Sequence, residues 1–575
     1  MRPAHLSQYF NDYRALLPYS LLGLLVGALS SVAVLSFGWA IEAVGYLWMG
    51  SGTPDNFEAL PAWTRFALPV GASLLLGGLY TMLSSEDRET GIVHVLSRMH
   101  SHYGRLPVRN ALVQFFAGAV ALGSGHSGGR EGPGVHLGAA ISSWLSDWLS
   151  LPNNSQRIVI ACGTAGGIAA AFNTPLAGVV FAMEVIVAEY TVIGFTPVLV
   201  AAVSATTISH LLGGSFIGFA IPSVALTNLL ELPFILLLGV VCGALSGLFI
   251  WIMRLCLRFS TQPPLLRFLA AGLLTGSIAL VLPEVLGLGY DSLSLTLSGE
   301  IAPLLLGSLL AAKLVATAVT IGLGMPLGVI GPSLLIGGCI GGLLGFFGAA
   351  LMPEYSSHVS LYVVIGMGAG MAAMLNAPLA ALLAVVELTG SVSVVFPTML
   401  AIVAATLTAT VGLRARSAHQ TVLRYLERVI PEDPISQLLH QTNVMSAMDR
   451  NICVMEHAIS LAEPVTEDLP NWCLLKRDGE HLFLVRGADI FQLVERQEEN
   501  ADDDETVRID LVEQDLRRWT ICSLSPRATL REALDAMRRN DVQAVVIDDP
   551  RVPGDLGIRG VITRDIIDQF YLLRL

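Results

Sequence analysis

Glu131 stands immediately before a Gly-Pro pair in GREGPGVHLGA, residues 129–139. A second segment, GVIGPSLLIGG at 328–338, is an imperfect copy: Gly331-Pro332 matches Gly132-Pro133 at an offset of 199 residues. Glycine permits close, unusual backbone, and proline suits a helix's first turn, where its missing N–H is not needed. A helix opening at Pro133 presents unpaired N–H groups and a partial positive charge at its start. Such an end attracts an anion without a lysine or arginine that would hold it too tightly for flux. Glu131 lies at the mouth of that site, and its carboxylate can take the place of a mobile anion. Protonating it or swinging it away would open the path, which makes it a candidate gate; the plainer alternative is a capping or surface glutamate. The second copy has no ionisable side chain at its break, so its contribution is expected from the amides of Val329 and Ile330.

Other chemistry-bearing patterns point elsewhere. Gly125-His126-Ser127-Gly128-Gly129 fits G-x-S-x-G, but a nucleophile elbow needs strand, turn and helix in a soluble sheet. An intramembrane serine hydrolase, with Ser127 as nucleophile and a histidine such as His210 as base, is the rival from a different function class. Lys313, alone in a long apolar segment, reads as a snorkelling interface residue ahead of a functional charge. The seven cysteines (Cys162, Cys242, Cys256, Cys339, Cys453, Cys473, Cys522) show no C-x-x-C spacing. They are expected to be small hydrophobes and form no metal or disulfide framework.

The elements that must position these residues are membrane-like. The 575 residues are 53% hydrophobic and 14% charged, with mean hydropathy +0.64, which excludes a soluble enzyme. Segments at 21–41, 66–83, 232–253 and 268–282 carry enough apolar residues to enter or cross a bilayer. The net charge of −13 comes largely from acidic residues past about 430, in a soluble tail, and gives no reason to expect nucleic acid as a partner. Arg2 and Arg14 before the first apolar segment, and Arg414 and Arg416 after the last, place both termini in the cytoplasm. No small-residue cleavage site follows the first segment, which reads as a retained helix.

The membrane part, 1–430, reads as a duplication with repeats at about 18–215 and 230–415. Gly23-x-x-x-Gly27-Ala28-Leu29-Ser30 matches Gly239-x-x-x-Gly243-Ala244-Leu245-Ser246, and GTAGGIAAAFNTPLAG at 163–178 matches GMGAGMAAMLNAPLAA at 366–381. Three landmarks in one order, with Gly and Pro inside the apolar segments, point to inverted halves with broken helices around a shared site.

With those residues on the page, the chain resembles the CLC chloride channels and proton-coupled chloride exchangers over about three-quarters of its length. GREGP is similar to the family's gating-glutamate motif, and GSGHSGGREGPGVHL to its GSGLPLGKEGPFVHI form. FNTPLAGVVFAMEV at 172–185 resembles F-x-A-P-x-x-G-x-x-F-x-x-E, and GVIGP resembles G-x-F-x-P. The resemblance implies chloride as the transported ion and a homodimer with one anion path per subunit, in a bacterial inner membrane. It also implies anion contacts at Gly132, Val329 and Ile330. The departures are informative. The family's GSGIPE corresponds to Glu89-Thr90-Gly91-Ile92-Val93-His94, so Thr90 stands for the serine. His419 stands for the inner tyrosine, where a plain cytoplasmic-surface histidine is the alternative. Exchangers carry two glutamates in series where this chain has Glu184 and then Val185. That substitution implies channel-like or loosely proton-coupled flux, with a chloride/proton antiporter as the alternative.

The tail, 431–575, resembles a pair of CBS domains. The clearer second copy runs from a helix at 530–537 through a strand at 544–548 to a strand-into-helix unit at 560–565; the first, at 444–460 and 481–494, is degenerate. Such a pair implies adenine nucleotide as a ligand. Asp565 follows Thr563 by two positions where the family uses Thr-x-x-Asp, which leaves a structural or dimerising role as the alternative. The expected fold is an all-α polytopic membrane protein of two inverted repeats with broken helices, followed by a small α/β cytoplasmic domain.

Overall fold

The structure, a computed structural model, describes residues 16–49, 55–101, 104–188, 190, 192–213, 226, 228–351, 353, 356–427, 439, 442–460, 469–477, 479–498, 508–550, 552 and 554–572. Arg2, Arg14 and the acidic run at 499–505 lie outside the described residues. The chain divides into two compact units, Met1–Ser150 with Gln156–Ile430, and Leu151–Ser155 with Pro431–Leu575.

The first unit is helical. Its first half contributes α1 (Leu16–Met49), α2 (Ala62–Met82), α3 (Gly91–Ser101), α4 (Val108–Gly123), α5 (Glu131–Leu149), α6 (Asn153–Phe172), α7 (Pro175–Phe181) and α8 (Val192–Leu211). The second half repeats the order with α9 (Leu232–Leu257), α10 (Pro264–Ala279), α11 (Tyr290–Ser298), α12 (Pro303–Gly322), α13 (Ile330–Leu351), α14 (Val359–Leu375), α15 (Pro378–Thr389) and α16 (Val395–Leu407). A short α17 (Ala418–Tyr425) follows. Among the described residues, seven helices are long and apolar enough to cross a membrane.

Helix α1 shows the logic. Leu22, Gly23, Val26, Gly27, Ser30 and Val34 form its buried face at helical spacing, while Leu21, Leu24, Leu25 and Leu29 point outward. A helix apolar on every face suits lipid on one side and protein on the other. Its 34 residues rise ~51 Å, well beyond a hydrocarbon core of ~30 Å, so it is long enough to cross with a tilt. Lipid gives no hydrophobic drive for helices to associate, and small residues that bring backbones together supply the packing. Gly23 and Gly27 sit against the α8 backbone at Pro197 and Ala201, and Gly239 and Gly243 of α9 sit against α16 at Ala401 and Ala405. The matched glycine motifs thus do the same job in each half.

The halves are related by a local two-fold axis. Equivalent helices pack on one another across it: α2 on α10, α5 on α13, and α7 on α15. Equivalent residues also bond reciprocally. Gly129 N–H donates to the Gly328 carbonyl and Gly328 N–H to the Gly129 carbonyl, each at 2.8 Å. Glu184 accepts from the amides of Leu379 and Ala380 (3.2 and 2.8 Å), and Glu387 accepts from those of Leu176 and Ala177 (both 2.8 Å). The residues that make these bonds are paired between the halves at one offset, 203 (Glu184 with Glu387, Leu176 with Leu379, Ala177 with Ala380), the same as the third sequence landmark. The N-termini of α5 and α13 meet head to head, so the repeats are inverted.

Lys313 departs from expectation. It does not snorkel: its side chain is fully buried on α12 and its Nζ donates to the carbonyls of Val285 (3.1 Å) and Gly287 (2.8 Å). Those carbonyls belong to the turn that enters α11, where no helical N–H reaches them, and the ammonium satisfies both.

The second unit holds two sheets of the same topology. In one, β1 (Ile452–Glu456) runs parallel to β3 (Trp472–Arg477), which pairs antiparallel with β4 (Glu480–Arg486). In the other, β6 (Ile521–Leu524) runs parallel to β7 (Ala544–Asp548), which pairs antiparallel with β8 (Ile558–Thr563). A short antiparallel pair joins β2 (Ala458–Ser460) to β5 (Arg508–Asp510). Helix α18 (Gly487–Glu498) follows β4, α19 (Leu530–Asn540) bridges β6 and β7, and α20 (Arg564–Leu572) follows β8. Thr529 caps α19 by accepting from the Glu532 amide. Leu530, Ala533, Leu534 and Met537 form its buried stripe. Trp472, Leu474, Leu484, Trp519, Val546 and Val561 pack between the two sheets.

Candidate anion-binding site

The two breaks meet at one point. Both helices begin in the same register: Glu131-Gly132-Pro133 open α5 and Ile330-Gly331-Pro332 open α13. Each helix starts two residues earlier than its proline alone predicts, and each proline still lies in the first turn, where its missing N–H has no helical acceptor. The Gly129–Gly328 bridge fixes the two N-termini against each other, so their unpaired amides and partial positive charges converge.

Glu131 occupies that point of convergence. Its side chain is fully buried. It reaches from its own helix to the other: Oε2 accepts from the Gly331 amide at 3.1 Å and Oε1 from the Tyr290 hydroxyl at 2.5 Å. Gly331 must be glycine for this, since a Cβ there would lie 2.9 Å from Oε1 and 3.4 Å from Oε2. Gly132 packs on Gly328, with room for no side chain between them. Val329 and Ile330 are buried in the turn just before Gly331. The amide that holds the carboxylate is therefore the next one along from the pair singled out in the sequence.

Charge around the site is fixed but indirect. Arg130 donates from Nη2 to the Ala171 carbonyl at the end of α6 (2.6 Å), and its guanidinium lies 5.8 Å from the Tyr290 ring centre. Phe172 meets the same ring edge-on, with centroids 6.5 Å apart. Tyr290 opens α11 directly after Gly289, which has φ +78, and the turn before it is the one Lys313 holds. A small cavity beside Tyr290 is lined by Asp55, Glu58, Glu284 and Asp291. Burial raises the Asp55 carboxyl above the usual range, with Asp291 and Glu42 adding and Arg130 opposing. Burial raises Glu58 too, with Glu284 and Asp291 adding and Arg65 opposing.

The residues expected at the other end sit apart from Glu131. Thr90 is half-buried in the turn before α3, and that turn is well held. The Gly91 amide donates to Gln114 Oε1 (2.7 Å), Gln114 Nε2 donates to the Pro326 carbonyl (2.8 Å), and Asn110 Nδ2 donates to the carbonyls of Glu86 and Glu89. Gln114 thereby ties the Thr90 turn to the approach of α13. His419 is buried on α17 rather than lying on the surface, and α17 packs on α3 and α14. Among the described residues neither Thr90 nor His419 bonds to Glu131. Val185 is half-buried in a π-helical stretch, Ala182–Val187, and Glu184 beside it faces α15 as a helix cap.

Tyr290 escaped the sequence reading. The signal was present: Leu288-Gly289-Tyr290 occupies the place of Thr90-Gly91-Ile92 in the repeat, with left-handed glycines at φ +78 and +74 opening α11 and α3. The hydrolase reading fails on geometry. Ser127 Oγ pairs with Thr317 Oγ1 at 2.8 Å, both buried, while His210 is exposed at the end of α8. The adjacent His126 is taken up by Ser73 and the Pro69 carbonyl, each at 3.0 Å.

Comparison with known proteins agrees with this arrangement. The family described as voltage gated chloride channel matches residues 72–410. A ClcB-like chloride channel protein of Ralstonia nicotianae is 31% identical over 394 residues, 67% of this chain and 92% of that one. The H(+)/Cl(−) exchange transporter ClcA of Vibrio cholerae is 30% identical over 400 residues, 66% of this chain and 84% of that one. A slow cyanobacterial Cl−/H+ antiporter superposes with TM-score 0.62 at 22% identity, covering 71% of this chain and 97% of its own. A eukaryotic CLC transporter superposes with TM-score 0.61 at 18% identity, covering 96% and 98%. Those identities speak for the fold alone. The matched family segment spans both helix breaks and the carboxylate between them, and the chain belongs to the CLC family of chloride channels and proton-coupled chloride exchangers, which are transport proteins and not enzymes.

Proposed function

We propose that this chain conducts small anions, chloride first, through a path gated by Glu131, with channel-like or loosely proton-coupled flux. The observation that carries this reading is the Glu131 carboxylate itself, an anion resting on the donors of two opposed helix starts. An arriving anion needs the same donors, so the carboxylate and the anion compete for one place. Gly132, Val329 and Ile330 frame that place; Thr90 and His419 are assigned to the inner end of the path, where α3 and α17 pack together. Channel-like flux is favoured because Val185 replaces the second carboxylate and Glu184 is engaged in capping α15.

The reversal potential of the reconstituted chain under a pH gradient tests the mode. A value that follows the chloride gradient with at most a small shift on pH is expected, and a shift as large as tight coupling requires overturns it in favour of exchange. Exchange has one observation on its side: His94 Nδ1 and His136 Nε2, both buried, lie 2.9 Å apart and join α3 to α5. Glu131→Ala tests the gate, with anion flux in liposomes expected to rise at neutral pH and lose its acid activation.

The assembly is proposed as a homodimer in a bacterial inner membrane with both termini cytoplasmic, on the family resemblance and on Arg414 and Arg416. For the tail, a structural role is favoured over an adenine-nucleotide site. Thr563 Oγ1 already accepts from the Ile566 amide at 3.4 Å, capping α20, and the Thr563-x-Asp565 spacing is one residue short. Added ATP is accordingly expected to leave flux unchanged.

A further inference from the structure

Glu131 has two donors of different kinds. The Gly331 amide belongs to the start of α13, whereas the Tyr290 hydroxyl comes from a third helix, α11. We propose that Tyr290 is the latch of the gate: its phenol holds the Glu131 carboxylate on the start of α13 and so sets the pH at which the path opens. The inference rests on the gating role of Glu131 and adds a positioning residue to it.

The bond is short, 2.5 Å, in the range of a hydroxyl donating to a charged oxygen. The phenol is aimed before the carboxylate arrives. Phe172 packs edge-on to its ring, Arg130 lies over the ring face, and Lys313 pins the turn before α11 through Val285 and Gly287. A donor bonded to a carboxylate favours its ionised form. Leaving the closed position therefore requires giving up this bond, by swinging the carboxylate away or by protonating it. The other charged groups facing this place are Arg130 beside Glu131, Asp55 and Asp291 near the phenol, Glu42 behind Asp55, and Glu58 and Glu284 across the small cavity. None of them is altered when the phenol loses its oxygen.

Chloride efflux from liposomes containing the full chain, measured against external pH, tests the latch. Tyr290→Phe keeps the ring and removes the donor. Its acid-activation midpoint is expected to move up by roughly one pH unit, about a ten-fold change in proton affinity, with higher flux at neutral pH. On a Glu131→Gln background the same substitution is expected to change nothing. A fluorinated tyrosine at position 290, a stronger donor of the same shape, is expected to move the midpoint in the acid direction. That opposite shift is one a purely structural role would not produce, and it keeps the test decisive should Tyr290→Phe fold poorly. A wild-type midpoint in Tyr290→Phe and in the fluorinated protein overturns the latch, as does a shift that persists without Glu131. If Glu131→Gln alone leaves the pH dependence intact, the gating role itself fails; if it abolishes that dependence while both position-290 variants behave as wild type, only the latch fails.

Discussion

A carboxylate held between two helix starts is stable there only while nothing crowds it, and the crowding limit is set by one missing methyl group. At Gly331 a Cβ would stand 2.9 Å from Glu131 Oε1 and also 3.4 Å from the Tyr290 hydroxyl. Gly331→Ala is therefore expected to expel the carboxylate while leaving the helix start able to form, since alanine is the better helix former. Losing one charge-assisted hydrogen bond of ~1.5 kcal/mol corresponds to about ten-fold more open protein at neutral pH. Liposome flux at neutral pH reads this directly, and flux at or below wild type would contradict it. Glu131 was legible in the sequence because Glu-Gly-Pro is local: carboxylate, flexible link and helix start are consecutive. Tyr290 was not, because its bond to Glu131 spans 159 residues, and the repeat signal at Leu288-Gly289-Tyr290 marks a helix start without telling what that start will meet. Lys313 was misread for a related reason. A lone lysine in an apolar helix has the same sequence whether it reaches for the interface or for carbonyls inside the protein.

Among the elements, α7 and α15 test what a duplicated structure requires. Each begins with proline, so its early amides face the partner helix without a helical acceptor. Each receives a carboxylate from the other, Glu387 on α7 and Glu184 on α15. A carboxylate at a partly buried helix start contributes up to ~2 kcal/mol. Glu184→Gln and Glu387→Gln are expected to lower stability by similar amounts, about 1 kcal/mol each, because symmetry gives them the same role. Thermal unfolding of the two variants in detergent measures that equality. Reversal potentials measured alongside separate the cap from a proton relay, for a relay at Glu184 would make Glu184→Gln lose coupling while Glu387→Gln kept it. The matching Asn-x-Pro-Leu-Ala segments made the existence of both helices legible. That their glutamates are exchanged was not, since a sequence repeat states which residues are equivalent and leaves open whether the equivalent residues touch.

For the whole chain, the same principle of duplication gives two different outcomes. In the helical unit the two halves differ at one decisive place, where Glu131 in one is matched by Ile330 in the other, so only one half brings a carboxylate to the shared point, the feature on which the proposed gate rests. In the second unit the two sheets share a topology, and the difference lies in how their edges are tied. Lys476 on β3 bonds Asp555 at 2.7 Å, and His481 on β4 approaches the same carboxylate at 3.6 Å. This cluster clamps the turn before β8 onto the first sheet. The hydrogen bond from Lys476, helped by His481, holds Asp555 below the usual carboxylate range. A depressed carboxylate adds stability above its ordinary pKa and loses it as pH falls through the folded value. Asp555→Asn is therefore expected to loosen residues 554–563 at neutral pH, with the difference from wild type starting to shrink below about pH 4 and disappearing only as pH falls through the lower folded value. Hydrogen exchange of that segment in the full chain, followed against pH, measures the effect. The groups are exposed, so the effect is small and should shrink further in high salt. A difference that persisted in acid would instead assign the clamp to packing of the turn, with the charges incidental to it.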